Sequence, residues 1–405
     1  MIHYLATHFP GFREWSTLVK IELSFVVTMS SFFGCMMAGS DAWSVSHVLA
    51  NFAGTAMCAA SAAIGNQWLE KTHDAKMKRT HQRPLVTGAI PEWKALTAAA
   101  LLPIAGGALL HYASEGDWVA PALGLGTIFA YVCIYTPMKR IHRWNTELGA
   151  IVGSVPVLIG WSCAISHYSH YMSTVNHLLL PFTTSQSLLM PHALYGFMFL
   201  VAWQMQHFMT IAYQYQDQYS KAGYVMMTGM PALHKGVAWT AILCAMPFGA
   251  VYFGVASQML LITGSAINGL LVWTYAKWWK VMKSTTDEGE RNKAARSCMK
   301  WGIIYFLLMF SATIYHALDN KYHLFTNLVP ISVREAAFLL CPVAWSQTNP
   351  MPSQAIAVAP IMKPIVEEKL VKNDSQCVYM RLVHPDTLKA LHPKPTEATT
   401  SQPQP

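Results

Sequence analysis

Nine apolar runs, each near the length of a bilayer-crossing helix, constrain this chain more than any other feature. They lie at roughly 22–40, 46–67, 94–113, 118–137, 147–165, 188–213, 234–253, 256–277 and 299–318. A helix needs about 20 mostly apolar residues to cross the hydrocarbon core. The runs predict an all-α polytopic membrane protein of nine transmembrane helices. Only 12% of the residues are charged, against roughly 25% in soluble domains, too few to solvate a surface of this size.

The hydrophilic gaps alternate in charge. The N-terminus, the loops after runs two, four, six and eight, and their flanks hold 20 of the 28 Lys and Arg residues. The loops after runs one, three, five and seven hold none, and the rest lie in the tail. Losing or adding one span would scramble this pattern, so it supports the count of nine and puts the basic loops on the cytoplasmic or matrix side. The same pattern explains the net charge of +8 without nucleic acid. The eight cysteines form no CxxC pair and read as small buried hydrophobes. Arg13, Lys20 and Glu22 flank a full-length first run, which argues against a cleavable secretory signal. The chain therefore divides into an N-terminal segment 1–21, a membrane domain 22–318, and a Pro-rich tail 319–405 expected to be poorly ordered.

Chemistry concentrates at the ends of two runs. Run two closes in Asn66, Glu70 and Asp74, spaced i, i+4, i+8. Each step turns about 400°, so the three side chains share one face within about 80°. An all-oxygen stripe at a membrane boundary suits a hard divalent cation such as Mg²⁺, which often binds through one or two carboxylates plus substrate phosphates. Lys76, Lys78, Arg79 and Arg83 follow at once, so the segment reads as a diphosphate site. An ordinary charged loop laced with surface ion pairs explains the spacing equally well.

Run six ends on the same membrane face with Gln204, Gln206 and His207 inside the apolar stretch, then Asp217 and Lys221. Taken alone, Asp217 and Lys221 are a helix ion pair. Set opposite the first stripe across a central cavity, Asp217 becomes a second metal-ligand half-site. His207 is either an interhelical hydrogen-bond donor or a ligand to haem iron. His167, His170, His177 and His192 match no compact ligand pattern.

Three stretches resemble the UbiA superfamily of intramembrane prenyltransferases, and within it the mitochondrial-type protohaem IX farnesyltransferase (haem O synthase) branch. The first is Asn66-Gln67-Trp68 through Asp74 with Met77-Lys78-Arg79-Thr80-His81-Gln82-Arg83-Pro84-Leu85. The second is Tyr135-Thr136-Pro137-Met138-Lys139-Arg140 with Asn145-Thr146, Gly149-Ala150 and Gly160-Trp161. The third is Trp203-Gln204 with His207-Phe208, then Tyr219 and Ala222-Gly223-Tyr224. Gln216, Asp217 and Gln218 depart from the basic residue and paired acids that this family shows before the tyrosine.

The resemblance implies transfer of a farnesyl group from farnesyl diphosphate to a vinyl group of haem B, giving haem O for cytochrome oxidase assembly. It implies Mg²⁺ held by Asn66, Glu70, Asp74 and Asp217. Arg79, Arg83, Lys139, Arg140 and Lys221 would bind diphosphate or haem propionates, and His207 is the haem-binding candidate. Trp68, Tyr135, Trp161, Trp203 and Phe208 are candidates to shield the farnesyl cation, although each taken singly reads first as a packing residue. The mitochondrial inner membrane is the implied location, with a bacterial plasma membrane second, and a homo-oligomer or a haem A synthase partner is compatible. The rival readings are a prenyltransferase for an aromatic or quinone precursor, and a non-catalytic haem carrier or transporter.

Overall fold

The computed structural model describes residues 11–38, 44–175, 188 and 190–322, with backbone alone for 167–175 and 318–322. Nine long helices occur among the described residues: α1 (Ile21–Ala38), α2 (Val45–Asp74), α3 (Glu92–Ala113), α4 (Val119–Met138), α5 (Asn145–Val175), α6 (Pro191–Gln214), α7 (Gly229–Tyr252), α8 (Met259–Ser284) and α9 (Glu288–Tyr322). Each corresponds to one apolar run. Eight are long and apolar enough to cross a membrane. The exception is α6, whose 24 residues suffice in length but whose Gln204, Gln206 and His207 lower its hydropathy. The expected tail and the side chains of His167, His170 and His177 lie outside the described residues.

Several helices outrun their apolar stretches. The lipid-facing residues end near the bilayer surface, but backbone hydrogen bonds carry the helix onward. Thus α2 continues to Asp74 and α9 starts at Glu288. Sequence neighbours pack against each other from α1 to α5 and again from α5 to α9, and α9 touches α1, which closes the bundle. Ile104, Phe129, Ile262, Trp273 and Leu307 point outward, where lipid replaces water as their solvent.

Without a hydrophobic drive between helices in lipid, close approach and interhelical hydrogen bonds hold the bundle. α1 crosses α5 with Gly34 against Val157 and Gly160 against Ser31. A Cβ on Gly160 would fall 1.7 Å from the Ser31 carbonyl oxygen. The same crossing carries buried bonds from Ser31 Oγ to Asn51 Oδ1 (3.1 Å), from Asn51 Nδ2 to Cys35 Sγ (3.3 Å) and from Cys35 Sγ to the Gly160 carbonyl (3.1 Å). The six described cysteines are unpaired, and those at 35, 58, 163 and 298 are buried, in line with their reading as small hydrophobes.

Candidate active site

The stripe predicted on α2 exists and faces inward. Asn66, Glu70 and Asp74 are 0%, 4% and 2% exposed. Each carries a cationic or polar partner drawn from a different segment. Lys20 Nζ donates to Asn66 Oδ1 at 2.6 Å, and Asn66 Nδ2 donates to Thr136 Oγ1 at 3.0 Å. Lys139 Nζ lies 2.8 Å from Glu70 Oε1. Arg83 reaches Asp74 Oδ2 at 2.5 Å and Glu70 Oε2 at 3.9 Å.

Local structure aims each partner. Lys20 joins a short helix (Phe12–Leu18) to α1 in the left-handed region, φ 49°. A side-chain-bearing residue held there costs of order 1 kcal/mol or more, and such outliers cluster at functional sites. Pro84 opens a one-turn helix (Pro84–Thr87), and Arg83 caps it with extended backbone just outside the bundle wall. In α4 the segment Ala130–Tyr135 winds as a π-helix. π-Turns appear mostly as short insertions at functional sites. Here it places Thr136 beside Asn66 and Tyr135 with its ring centroid 4.6 Å from Lys139 Nζ.

The electrostatics follow from burial among like charges. Burial, then the charges of Arg83 and Lys139, push the Lys20 ammonium down to about 7. For Lys139 burial also acts downward, but the adjoining Glu70 outweighs it and holds the ammonium above its ordinary value. Tyr224 is raised, by burial first and then by Glu70 and Asp74.

The third stretch packs onto the other two. Val225 N–H donates to the Lys139 carbonyl at 2.8 Å, and Asn145 Nδ2 donates to the Val225 carbonyl at 2.9 Å. Met77 of the first stretch packs with Tyr219, Ala222 and Tyr224. The short helix Gln216–Ala222 and the Tyr215 that precedes it each touch the basic loop: Gln218 Oε1 accepts the Arg79 N–H at 3.3 Å, and the Arg79 guanidinium stands over the Tyr215 ring at 4.9 Å. The three stretches quoted from the sequence therefore meet at one end of the bundle.

Not every expected residue joins them. Asp217 is exposed, and no bond or ion pair ties it to Asn66, Glu70 or Asp74 among the described residues. Arg79, Arg140 and Lys221 are exposed at the rim. His207 stacks on Trp203, centroids 5.1 Å apart, and its Nδ1 is buried without a hydrogen-bond partner. On the same helix the Gln204 amide donates to Ser154 Oγ of α5 and the Trp203 indole N–H donates to the Gly302 carbonyl of α9. Trp68 is a correction: it is 39% exposed and its indole donates to Glu92 on the outside of the bundle, so it does not line the site. Trp161 stacks on His192, far along α5 from the stripe.

Sequence reasoning missed Lys20, Thr136 and Gln218 as site residues. Lys20 was visible as a cation at the mouth of run one, but nothing local ties it to a residue 46 positions away.

The UbiA prenyltransferase family profile matches residues 27–304, most of the chain. The chain belongs to the UbiA prenyltransferase family. Among curated relatives of this prenyltransferase is the mitochondrial protoheme IX farnesyltransferase of Yarrowia lipolytica, 29% identical over 299 residues, 72% of this chain and 58% of that protein. The Arabidopsis thaliana protein of the same name is 28% identical over 357 residues, 84% and 76% of the two chains. The protoheme IX farnesyltransferase of Koribacter versatilis is 26% identical over 322 residues, 76% of this chain and 95% of that one. The chain thus spans somewhat over half the length of the yeast relative and nearly all of the bacterial one. A solved digeranylgeranylglyceryl phosphate synthase superposes with TM-score 0.58 at 13% identity, covering 77% of this prenyltransferase and 100% of that chain, which shows the shared fold.

Asn66, Glu70 and Asp74 are hard-oxygen donors of the kind Mg²⁺ takes, and their oxygens are engaged by Lys20, Arg83 and Lys139. Among the described residues no group of three His, Cys, Asp or Glu that could hold a metal ion occurs.

Proposed function

We propose that this prenyltransferase transfers a farnesyl group from farnesyl diphosphate to a vinyl group of haem B, forming haem O. The carrying observation is the convergence of the inward oxygen stripe with Lys20, Arg83 and Lys139 at one end of the bundle. The names of the relatives support the choice of substrates.

Asn66, Glu70 and Asp74 hold the divalent cation, which when bound supplies Lewis-acid charge to the diphosphate oxygens. Lys20, Arg83 and Lys139 exchange their carboxylate and amide partners for those oxygens. They stand ready for the charge that develops as the allylic C–O bond breaks, the preorganised form of electrostatic catalysis. Tyr135, whose ring lies against Lys139, presents a π-face to the allylic cation. Water then adds to the alkylated vinyl group and releases a proton, leaving the hydroxyethylfarnesyl chain. The rim cations Arg79, Arg140 and Lys221 take the haem propionates, and His207 ligates the haem iron. The basic loops face the matrix side of the mitochondrial inner membrane.

Purified protein in lipid, given haem B, farnesyl diphosphate and Mg²⁺, is expected to yield haem O by mass. Spectral titration of His207→Ala with haem B tests the iron ligand, the expected change being a shifted Soret band as the iron loses its imidazole. Wild-type haem spectra in that variant would remove His207 from the site.

A further inference from the structure

We infer that the outer face of the α8–α9 hairpin, at the basic end of the bundle, binds the headgroup of one diphosphatidylglycerol, a phospholipid with two phosphates. Among the described residues, none of the cations on this face bonds a residue of the candidate active site.

The charge on this hairpin is unanswered. From Lys277 to Lys300 it carries seven Lys and Arg residues against the three acids Asp287, Glu288 and Glu290. Arg291 takes Glu288 at 3.3 Å. Lys277 and Lys280 on α8 and Lys293 and Lys300 on α9 are exposed, and none of the four is in an ion pair among the described residues. Elsewhere at this end Lys71, Lys139 and Lys235 are matched to Glu92, Glu70 and Glu147. Spacings of i, i+3 and i, i+7 put each lysine pair on one helix face. The register between the helices is set by Trp273 and Trp301, which meet edge to face with centroids 6.4 Å apart. Lys277 stands one turn beyond Trp273, its ammonium 5.6 Å from that ring, and Lys300 adjoins Trp301. The two helices thus present their cations at one level.

Below the cations the same face turns apolar. Gly269, one turn from Trp273, is exposed, and a Cβ there would meet nothing within 4 Å. Ile262 continues the stripe on α8, and Ile304 and Leu307 continue it on α9, all exposed. Ammonium groups, then indole rings at the level of the lipid headgroups, then an open gap and aliphatic side chains follow the order of groups in a phospholipid. A soluble anion would leave the apolar part of the face unused. A second copy of this chain would set like charges against like. A lone phosphate would engage only part of the cluster. Lys293 and Lys300 are separated by about 10 Å of helix rise, and packed helix axes lie about 8–10 Å apart. Two phosphates joined through glycerol span such a patch, and basic pockets between membrane helices at this face suit headgroups of that kind.

The test uses the full chain in nanodiscs of neutral phosphatidylcholine containing diphosphatidylglycerol, or phosphatidylglycerol at matched charge, with bound lipid counted by native mass spectrometry. The wild type is expected to retain one diphosphatidylglycerol per chain in preference to phosphatidylglycerol, and free inorganic diphosphate is expected not to displace it. Lys277→Gln with Lys300→Gln should weaken retention by about tenfold or more, and Lys277→Arg with Lys300→Arg should preserve it. Lys94→Gln with Arg143→Gln removes the same charge from exposed positions at the same end and should change nothing. Equal weakening in the two Gln pairs would reduce the effect to the general surface potential and overturn the inference. Equal retention of phosphatidylglycerol, displacement by inorganic diphosphate, or full retention in Lys277→Gln with Lys300→Gln would overturn it as well.

Discussion

Lys20→Met tests the least obvious member of the site. The ammonium is bonded to Asn66 Oδ1 at 2.6 Å, and it is crowded by Arg83 and Lys139 in a buried place that disfavours its charge. An anionic diphosphate reverses that balance, because it offers the cation an oxygen partner of opposite charge. A hydrogen bond to a charged group contributes roughly 1.5–3 kcal/mol, so kcat/KM for farnesyl diphosphate should fall by about 10- to 150-fold. Met fills similar volume and removes a repelled charge but leaves the buried Asn66 Oδ1 without its donor, a loss of about 1–3 kcal/mol in stability, so rates are compared well below the unfolding transition of either protein. The assay is haem O production at fixed haem B and varied farnesyl diphosphate, with a thermal unfolding curve on each variant. Lys71→Met is the control: its pair with Glu92 is exposed at 38% and 48%, and such pairs contribute little. A Lys20→Met enzyme within threefold of wild type would refute the placement of Lys20 at the diphosphate.

Glu70→Gln and Asp74→Asn should each lower turnover by on the order of 10²-fold or more, the scale for loss of one key electrostatic group, read as initial rates of haem O formation at equal protein level. Excess chelator should abolish turnover and Mg²⁺ should restore it, and undiminished turnover without metal would rule out the metal-assisted route. Gly160→Ala places a methyl 1.7 Å from a backbone oxygen of α1, so it should prevent the α1–α5 crossing and leave little monodisperse protein on size-exclusion chromatography. Asn145→Ala removes the 2.9 Å bond to the Val225 carbonyl and the 2.8 Å bond to the His142 carbonyl. It should weaken the seam between the second and third stretches by about 1 kcal/mol, seen as faster proteolysis of the loop around residue 225.

The architecture was legible because membrane physics leaves few choices. A chain in lipid must satisfy every backbone group internally, so the apolar runs became long helices, eight of them long and apolar enough to cross a membrane among the described residues. The α2 stripe was legible for the same reason: i, i+4, i+8 spacing fixes a shared face on any regular helix. What the sequence did not disclose was which cations answer that stripe. Lys139 and Lys20 arrive from α4 and from the mouth of α1, and only packing brings them together. The π-turn at Ala130–Tyr135 shifts register inside an apolar run that looks uniformly helical. Asp217 and Gln218 show the limit most plainly. Read as a composition of acids, the segment invites a metal role for Asp217; read as a short helix seated on Met77, it turns Gln218 inward.

The central claim is that the oxygen stripe and its cations ionise a farnesyl diphosphate for attack by haem. The direct measurement is a single-turnover reaction of purified protein in nanodiscs with haem B, farnesyl diphosphate and Mg²⁺, analysed by mass spectrometry for haem O and inorganic diphosphate. The account predicts both products in equal amounts, and neither with Glu70→Gln on the same timescale. Release of diphosphate with haem B unchanged, or farnesylation of an added aromatic acid in its place, would contradict it.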